Sequence, residues 1–261
     1  MGLAQLNFEG RNRVEVTIAR LQEFEALTKG EGFYFADSFG KDSCVTRRLL
    51  QIAGSKYDGH YNQTGIDPPE LVRFGREYHP EVVWQRPKMN MWKGIAYHGM
   101  PSRLVRWCCD ELKEQHGAGR YIITGIRWQE SARRKTRKML EICQKDKTKI
   151  FVNPIIDWTT KDVWEFIKLE NIPYCSLYDE GFDRLGCVLC PMISGRKLKH
   201  EMNRFPKLAE AWHRACIRRF NTRQDLAFYQ KFADAETYWQ WWLSRKGEPK
   251  VGNAQCIMFD N

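Results

Sequence analysis

The sequence contains no apolar run approaching the ~18–20 residues that cross a bilayer, so a membrane-spanning helix is not expected. Its opening stretch, Met1 to Arg13, lacks the apolar core of a secretion signal. Internal repeats and low-complexity linkers are absent, which excludes solenoid and linker-dominated architectures. Hydrophobic residues at 43% and charged residues at 28% are ordinary globular usage and exclude a disordered chain. A disulfide framework is also missing, because nine cysteines is an odd count in a chain without an export signal. Metal binding or redox chemistry is the better explanation for so many thiols. These absences lead to the expectation of a soluble, cytoplasmic protein with no membrane partner.

Positive charge is in excess. A formal net charge of +10 favours polyanionic partners such as nucleotides or nucleic acid. The densest basic run is Arg133-Arg134-Lys135-Thr136-Arg137-Lys138, which on its own reads as a solvated helix face.

A chain of 261 residues buries a substantial core without staples. Val14, Ile18, Leu21, Phe24 and Leu27 share one helical face, and Gly30 and Gly32 end that helix. Phe33–Ala36 reads as a short buried strand, followed by a polar turn and a helix carrying Cys44, Val45, Leu49, Leu50 and Ile52. Further strands are expected at Tyr57–Tyr61, Val82–Trp84, Tyr121–Ile126 and Lys149–Val152. Helices are expected at Pro69–Tyr78, at Ser102–Gln115 and from an N-cap at Thr160 to about Glu170. This alternation predicts a doubly wound α/β domain with a mainly parallel sheet of about five strands. After Pro191 the pattern turns helical, with a new helix starting at Pro206. The expected division is a nucleotide-binding domain over residues 1–195, carrying the N-terminal helix and the cysteine cluster, and a helical C-terminal region and tail over residues 196–261.

The turn after the first strand reads Ser38-Phe39-Gly40-Lys41-Asp42-Ser43. Gly40 would let the backbone turn close to a ligand, and the following amides and helix N-terminus would present positive potential to a phosphate. Ser38 and Ser43 supply hydroxyl donors, Lys41 a point charge, and Asp42 a Mg²⁺ ligand or helix cap. The spacing is not that of a Walker A loop.

The string resembles the S-x-G-x-D-S PP-loop of enzymes that cleave nucleotides between the α and β phosphates. The resemblance extends over most of residues 30–195. Thr64-Gly65 is similar to the family's T-G step. Gly125-Ile126-Arg127-Trp128-Gln129-Glu130-Ser131, with Arg133 and Arg134, resembles its G-x-R-x-x-x-S-x-x-R block. Asp157–Trp164, then Ile172-Pro173-Tyr174 and Leu177-Tyr178, resembles its late helix and substrate-side loop. On these residues the chain is identified as a member of the sulfonucleotide (PAPS/APS) reductase-like family of the adenine nucleotide alpha-hydrolase superfamily. The resemblance implies ATP, or APS or PAPS, with Mg²⁺. Lys41, Asp42 and Arg127 are the implied catalytic residues; the nucleotide contacts are Ser38, Phe39, Gly40, Lys41, Asp42, Ser43, Thr64, Gly65, Gly125 and Arg127.

Cys108 and Cys109 are adjacent, and about eighty residues later Cys187-Val188-Leu189-Cys190 forms a C-x-x-C. By itself that pair leaves a redox couple or half a zinc site open. The full C-C…C-x-x-C set resembles the arrangement by which adenylyl-sulfate reductases hold a [4Fe–4S] cluster, with structural zinc as the alternative. Arg106 and Lys113 are expected to offset the cluster's negative charge. Cys44, Cys143 and Cys216 lie in helical patterns, and Cys175 is a spare ligand candidate.

Three functions compete. True reductases carry an E-C-G-[IL]-H tail; here Cys256 is present but its Glu, Gly and His neighbours are not. The intact Gly40-Lys41-Asp42-Ser43 ending is similar to the ATP-cleaving relatives, including ATP sulfurylase subunits and DNA phosphorothioation enzymes. That favours ATP cleavage to AMP and pyrophosphate, activating an acceptor in sulfur transfer or nucleic-acid-linked chemistry. A nucleic-acid acceptor and a sulfur donor or reductant protein are the corresponding partners. A non-catalytic nucleotide-binding module of a larger complex is the third reading.

Overall fold

Phe33–Ala36, with three of its four residues buried, forms β1 and takes a central place in the sheet. The computed structural model describes residues 12–246, and these fall into two compact units. The first comprises the residues up to Pro87 together with Leu112–Gly186.

Its sheet has six strands: β1, β2 (Tyr57–Asn62), β3 (Val83–Gln85), β4 (Tyr121–Ile123), β5 (Leu140–Ile142) and β6 (Ile150–Val152), in the order β3-β2-β1-β4-β6-β5. All neighbours run parallel except β5, which is antiparallel to β6. One more strand is present than the about five expected. Leu140 and Ile142 are 37% and 58% exposed on the sheet edge, so β5 carries no inward apolar pattern for the sequence to reveal.

One face of the sheet is sealed by α1 (Arg13–Ala26), α2 (Lys41–Ile52) and α6 (Thr160–Leu169). Phe33, Phe35, Ile123 and Val152 pack there against Leu21, Val45, Leu49, Leu50, Val163, Phe166 and Ile167, all essentially inaccessible. Each such side chain contributes about 1.5–3 kcal/mol by leaving water. Local signals agree with this packing. Asn12 caps α1 by accepting the Val14 N–H at 3.0 Å. Thr159, one residue before the expected Thr160, caps α6 in a reciprocal pair with Asp162. α3 (Pro69–Tyr78) spans the residues expected of it.

The basic run at 133–138 is a 3₁₀ turn over Arg134–Thr136 leading into the edge strand, not a helix face. Cys143 lies just beyond β5 and outside any helix.

The second unit comprises Lys88–Glu111 and the residues from Cys187 onward. Of the helix expected over Ser102–Gln115 only the later part forms, as the short α5 (Trp107–Lys113), and α4 (Met91–His98) precedes it unforeseen. Ser102 explains the gap. Its hydroxyl accepts the N–H groups of Leu104 and Val105, giving the backbone a turn to adopt in place of a helix. α4 escaped the periodicity because Gly94 occupies its packed face: a Cβ there would lie 2.2 Å from the Trp107 ring. α7 (Gly195–Arg204), α8 (Pro206–Thr222) and α9 (Ala235–Ser244) complete the unit, with Pro206 opening α8 as expected. Trp212, Trp239 and Trp242 are buried and stacked at 5.1–5.3 Å, so these tryptophans are core.

Candidate functional site

The strand order reverses between β1 and β4, so the loops after these two strands flank the crevice where doubly wound sheets bind ligands. Residues 38–43 follow β1, and Gly125 and Arg127 follow β4. Gly125 permits their approach: a Cβ there would stand 2.9 Å from the Asp42 carbonyl carbon.

The turn falls on a different residue from the one expected. Gly40 has φ −75 and is extended, whereas Phe39 has φ +57. A non-glycine residue in that region is costly and has to be held. Asp37 holds it from below, its Oδ1 accepting the Phe39 N–H at 2.8 Å and its Oδ2 facing His79 Nδ1 at 2.7 Å. The Phe39 ring is fully buried, stacks on Tyr61 at 4.3 Å, and lies against Gly75, where a Cβ would come within 2.2 Å of it. Phe39 is therefore an anchor whose side chain faces the core and not a ligand. Sequence reasoning missed Asp37 and His79; the only signal was a carboxylate directly before the loop.

Gly40 has a steric role. A Cβ there would meet the Tyr178 hydroxyl at 3.3 Å and Ser38 Oγ at 3.5 Å. Tyr178 accepts the Lys41 N–H at 3.0 Å, and burial pushes its own ionisation upward, so it stays a neutral phenol. Ser38 and Ser43 share a hydroxyl–hydroxyl hydrogen bond of 2.8 Å. The amides of Gly40, Asp42 and Ser43 have no acceptor among the described residues, and they sit at the positive end of the twelve-residue α2. That is an anion cradle.

Three charged residues lock together beside it. Asp42 receives Lys41 Nζ on Oδ2 at 3.0 Å and Arg127 Nε on Oδ1 at 2.7 Å. Lys41 and Arg127 are 4% and 2% exposed. Arg127 is fixed further by the Trp158 carbonyl at 3.2 Å, and Lys41 by the Asp183 carbonyl at 3.2 Å. Both Asp42 oxygens are thus occupied, and no side-chain cap is made at the start of α2. The expected role of Asp42 as a helix cap is not what its contacts show, while each of its oxygens keeps a further lone pair. Thr64 is buried, donating to Asp67 at 2.6 Å, and Gly65 follows at φ +76; both lie just past the C-terminal end of β2.

The four cysteines of the spaced set all belong to the second unit. Hydrogen bonding to Cys109 and burial push the Cys108 thiol up, and the charges of Cys109, Cys187 and Cys190 push it further, which places the four sulfurs in one electrostatic neighbourhood. Among the described residues no three His, Cys, Asp or Glu side chains converge as a ready-made chelate for a metal ion. The supporting frame is nonetheless built. Leu189, at φ +57 inside the C-x-x-C, donates its N–H to Glu201 at 2.6 Å and its carbonyl accepts from Arg245 at 3.0 Å. Trp212 Nε1 binds the Val188 carbonyl at 3.2 Å. Arg106 Nη2 donates to Cys109 Sγ at 3.1 Å, as its position suggested, and Arg245 feels the charge of Cys190. Arg245, Glu201 and Trp212 were not anticipated, since nothing local in the sequence ties them to a cysteine turn. Cys175 instead lies near Cys44 in the first unit, and both are buried. Cys256 lies outside the described residues.

A model of the phosphoadenosine phosphosulfate reductase domain matches residues 33–193, well over half of the chain. The chain belongs to that family. Among its relatives is an uncharacterized protein of Methanocaldococcus jannaschii, 32% identical over 191 residues, covering 68% of this chain and 40% of the relative. A second protein of that organism is 27% identical across 93% of this chain and 59% of its own length. The chain therefore spans only about half the length of these two relatives. Adenosine 5'-phosphosulfate reductase 2 of Bacillus subtilis is 27% identical, covering 69% of this chain and 83% of the enzyme. In fold the chain is similar to yeast FAD synthetase in complex with FAD, with a TM-score of 0.50 at 16% identity over 77% of this chain and 76% of that one. Family and fold agree with the sequence reading, in an adenine nucleotide alpha-hydrolase-like sheet.

Proposed function

We propose that this protein binds ATP on the 38–43 loop and cleaves it between the α and β phosphates, releasing AMP and pyrophosphate while activating an acceptor. The observation that carries the reading is the loop itself, with three unfilled amides at the start of α2 beside Lys41 and Arg127, both braced on Asp42. Such a site works by positioning and charge stabilisation, because its donors are fixed before the ligand arrives. The amides and the Ser38 and Ser43 hydroxyls would hold phosphate oxygens. Lys41 and Arg127 would neutralise charge that develops on the leaving pyrophosphate. Mg²⁺ would ride on the phosphates, with Asp42 as the carboxylate at hand to place it. Thr64, Gly65 and Gly125 would line the same end of the sheet.

Cys108, Cys109, Cys187 and Cys190 would hold a [4Fe–4S] cluster, and their donor set fits one: four thiols in one neighbourhood, with Arg106 and Arg245 as countercharges. When bound, such a cluster supplies sulfur or electron chemistry, or a brace for the C-x-x-C turn. Sulfur transfer or nucleic-acid-linked chemistry is the process we assign, with a nucleic-acid acceptor and a sulfur donor or reductant protein as partners in the cytoplasm. The 1–195 and 196–261 division belongs to the same reading.

The similarity to the Bacillus subtilis reductase favours a second reading, thiol-dependent reduction of APS or PAPS with release of sulfite. One experiment separates the two. Anaerobic protein is incubated with ATP and Mg²⁺, and in parallel with each sulfonucleotide and a thiol. AMP plus pyrophosphate from ATP supports the first reading, whereas sulfite without ATP turnover replaces it with the second.

A further inference from the structure

Trp128 is fixed at both ends and open on its face. Its backbone N–H donates to the Ile156 carbonyl at 2.8 Å, and its indole Nε1 donates to the Arg137 carbonyl at 2.8 Å. The ring is still 40% exposed, whereas Trp158, Trp212 and Trp242 are buried. An indole held in place without being covered is a ready stacking platform, because little side-chain entropy is left for a guest to offset.

The bond to Arg137 joins this ring directly to the basic run. Arg133, Lys135 and Lys138 are exposed and enter no ion pair among the described residues. The carboxylates of the same stretch do not neutralise them, because Glu130 pairs with Arg134 and Glu141 with Arg137. Lysines that only guard a sheet edge against pairing would explain the charges on the way into β5, but not the open tryptophan. Trp128 also directly follows Arg127, whose Nε reaches Asp42 of the phosphate loop at 2.7 Å. A ligand lying on this surface is therefore led toward the crevice.

Stacking requires a base that is not already paired, and backbone phosphates answer unmatched cations. An acidic protein would answer the cations alone. We propose that Trp128, Arg133, Lys135 and Lys138 form a landing surface for a single-stranded stretch of nucleic acid, one base stacking on the indole and the neighbouring phosphates lying on the three cations. Its role as the acceptor's seat rests on the loop being the nucleotide site.

The test is fluorescence anisotropy with labelled single-stranded RNA and DNA of about fifteen nucleotides, the upper end of common site sizes, over a range of salt. The proteins are wild type, Trp128→Leu, Trp128→Phe and the triple variant Arg133→Gln/Lys135→Gln/Lys138→Gln. The slope of log affinity against log salt is expected to shrink by about two in the triple variant, at about 0.7 per phosphate. Trp128→Leu is expected to weaken binding about tenfold with its slope unchanged, and Trp128→Phe to recover most of that loss. Mg·ATP binding, measured by calorimetry on the same proteins, is expected to stay within about twofold of wild type. A triple variant with the wild-type slope, or a Trp128→Leu that binds as wild type does, would overturn the surface. So would polyglutamate that competes as well as the unlabelled strand, which would favour an acidic protein. Wild type that bound Mg·ATP and neither strand would overturn the surface and leave the loop standing. Wild type that bound a strand and no Mg·ATP would remove the loop reading and with it the acceptor role.

Discussion

The phosphate loop of the first unit and the cysteine turn of the second are both nests of groups that are costly to gather, yet they resolve that cost differently. The loop resolves it internally. Asp42 sits between Lys41 and Arg127, Asp37 bonds both the strained Phe39 amide and His79, and only outward-facing amides are left for a guest. The cysteine site has its frame, with Glu201, Trp212 and Arg245 fixing residues 188 and 189, but burial and the neighbouring cysteines disfavour ionisation of Cys108. The loop keeps one cation more than its carboxylate for an anionic guest, while the cysteine turn gathers thiols beside Arg106 and Arg245. In the proposed reading, catalysis belongs to the loop and a cofactor to the cysteine turn.

The largest expected effect breaks the cysteine side of this contrast. Cys187→Ser should abolish iron loading and the visible absorbance of anaerobically reconstituted protein. Retention of both would remove Cys187 as a ligand. On the loop side, Lys41→Ala should weaken ATP by about tenfold to a hundredfold, because a charge-assisted contact is lost while Arg127 still holds Asp42. Its melting temperature should stay close to wild type, and a collapse of the fold would show that Lys41 is chiefly structural.

Gly125→Ala probes how closely the two loops must approach. The added Cβ would meet the Asp42 backbone, costing about 1–3 kcal/mol of stability by overpacking. Urea unfolding measures this, and an unchanged midpoint would mean the crevice is looser than described.

These positions also show what the sequence does and does not disclose. β1, α2, α3 and β4 were legible because their apolar periods are uninterrupted, and the loop because its spacing is dense. The left-handed Phe39 was not, because the strain is held by Asp37, His79 and Gly75, residues up to the far end of α3. α4 was hidden because close packing on Trp107 put a glycine where an apolar residue was looked for. Cys108 and Cys190 were readable as a spaced set, but Glu201 and Arg245 act through tertiary contacts that leave no local pattern.

The smallest expected effect sharpens the account of the frame. Burial pushes the Glu201 carboxyl up to about 7, opposed by the Leu189 amide and Arg245. A carboxyl raised above its unfolded value favours the protonated fold, so its contribution falls as pH rises from about 4.5 to about 7 and is flat above. Glu201→Gln keeps an acceptor for the Leu189 N–H and should flatten that pH dependence of melting. An unchanged slope would show that Glu201 does not titrate in this window.

Amide hydrogen exchange, with and without anaerobic reconstitution by iron and sulfide, tests the contrast most directly. The account predicts that reconstitution slows exchange across 106–113 and 187–191, while residues 38–43 respond only when Mg·ATP is added. Cysteine segments that exchange as before in the reconstituted protein, or a loop that gains no protection from ATP, would contradict it.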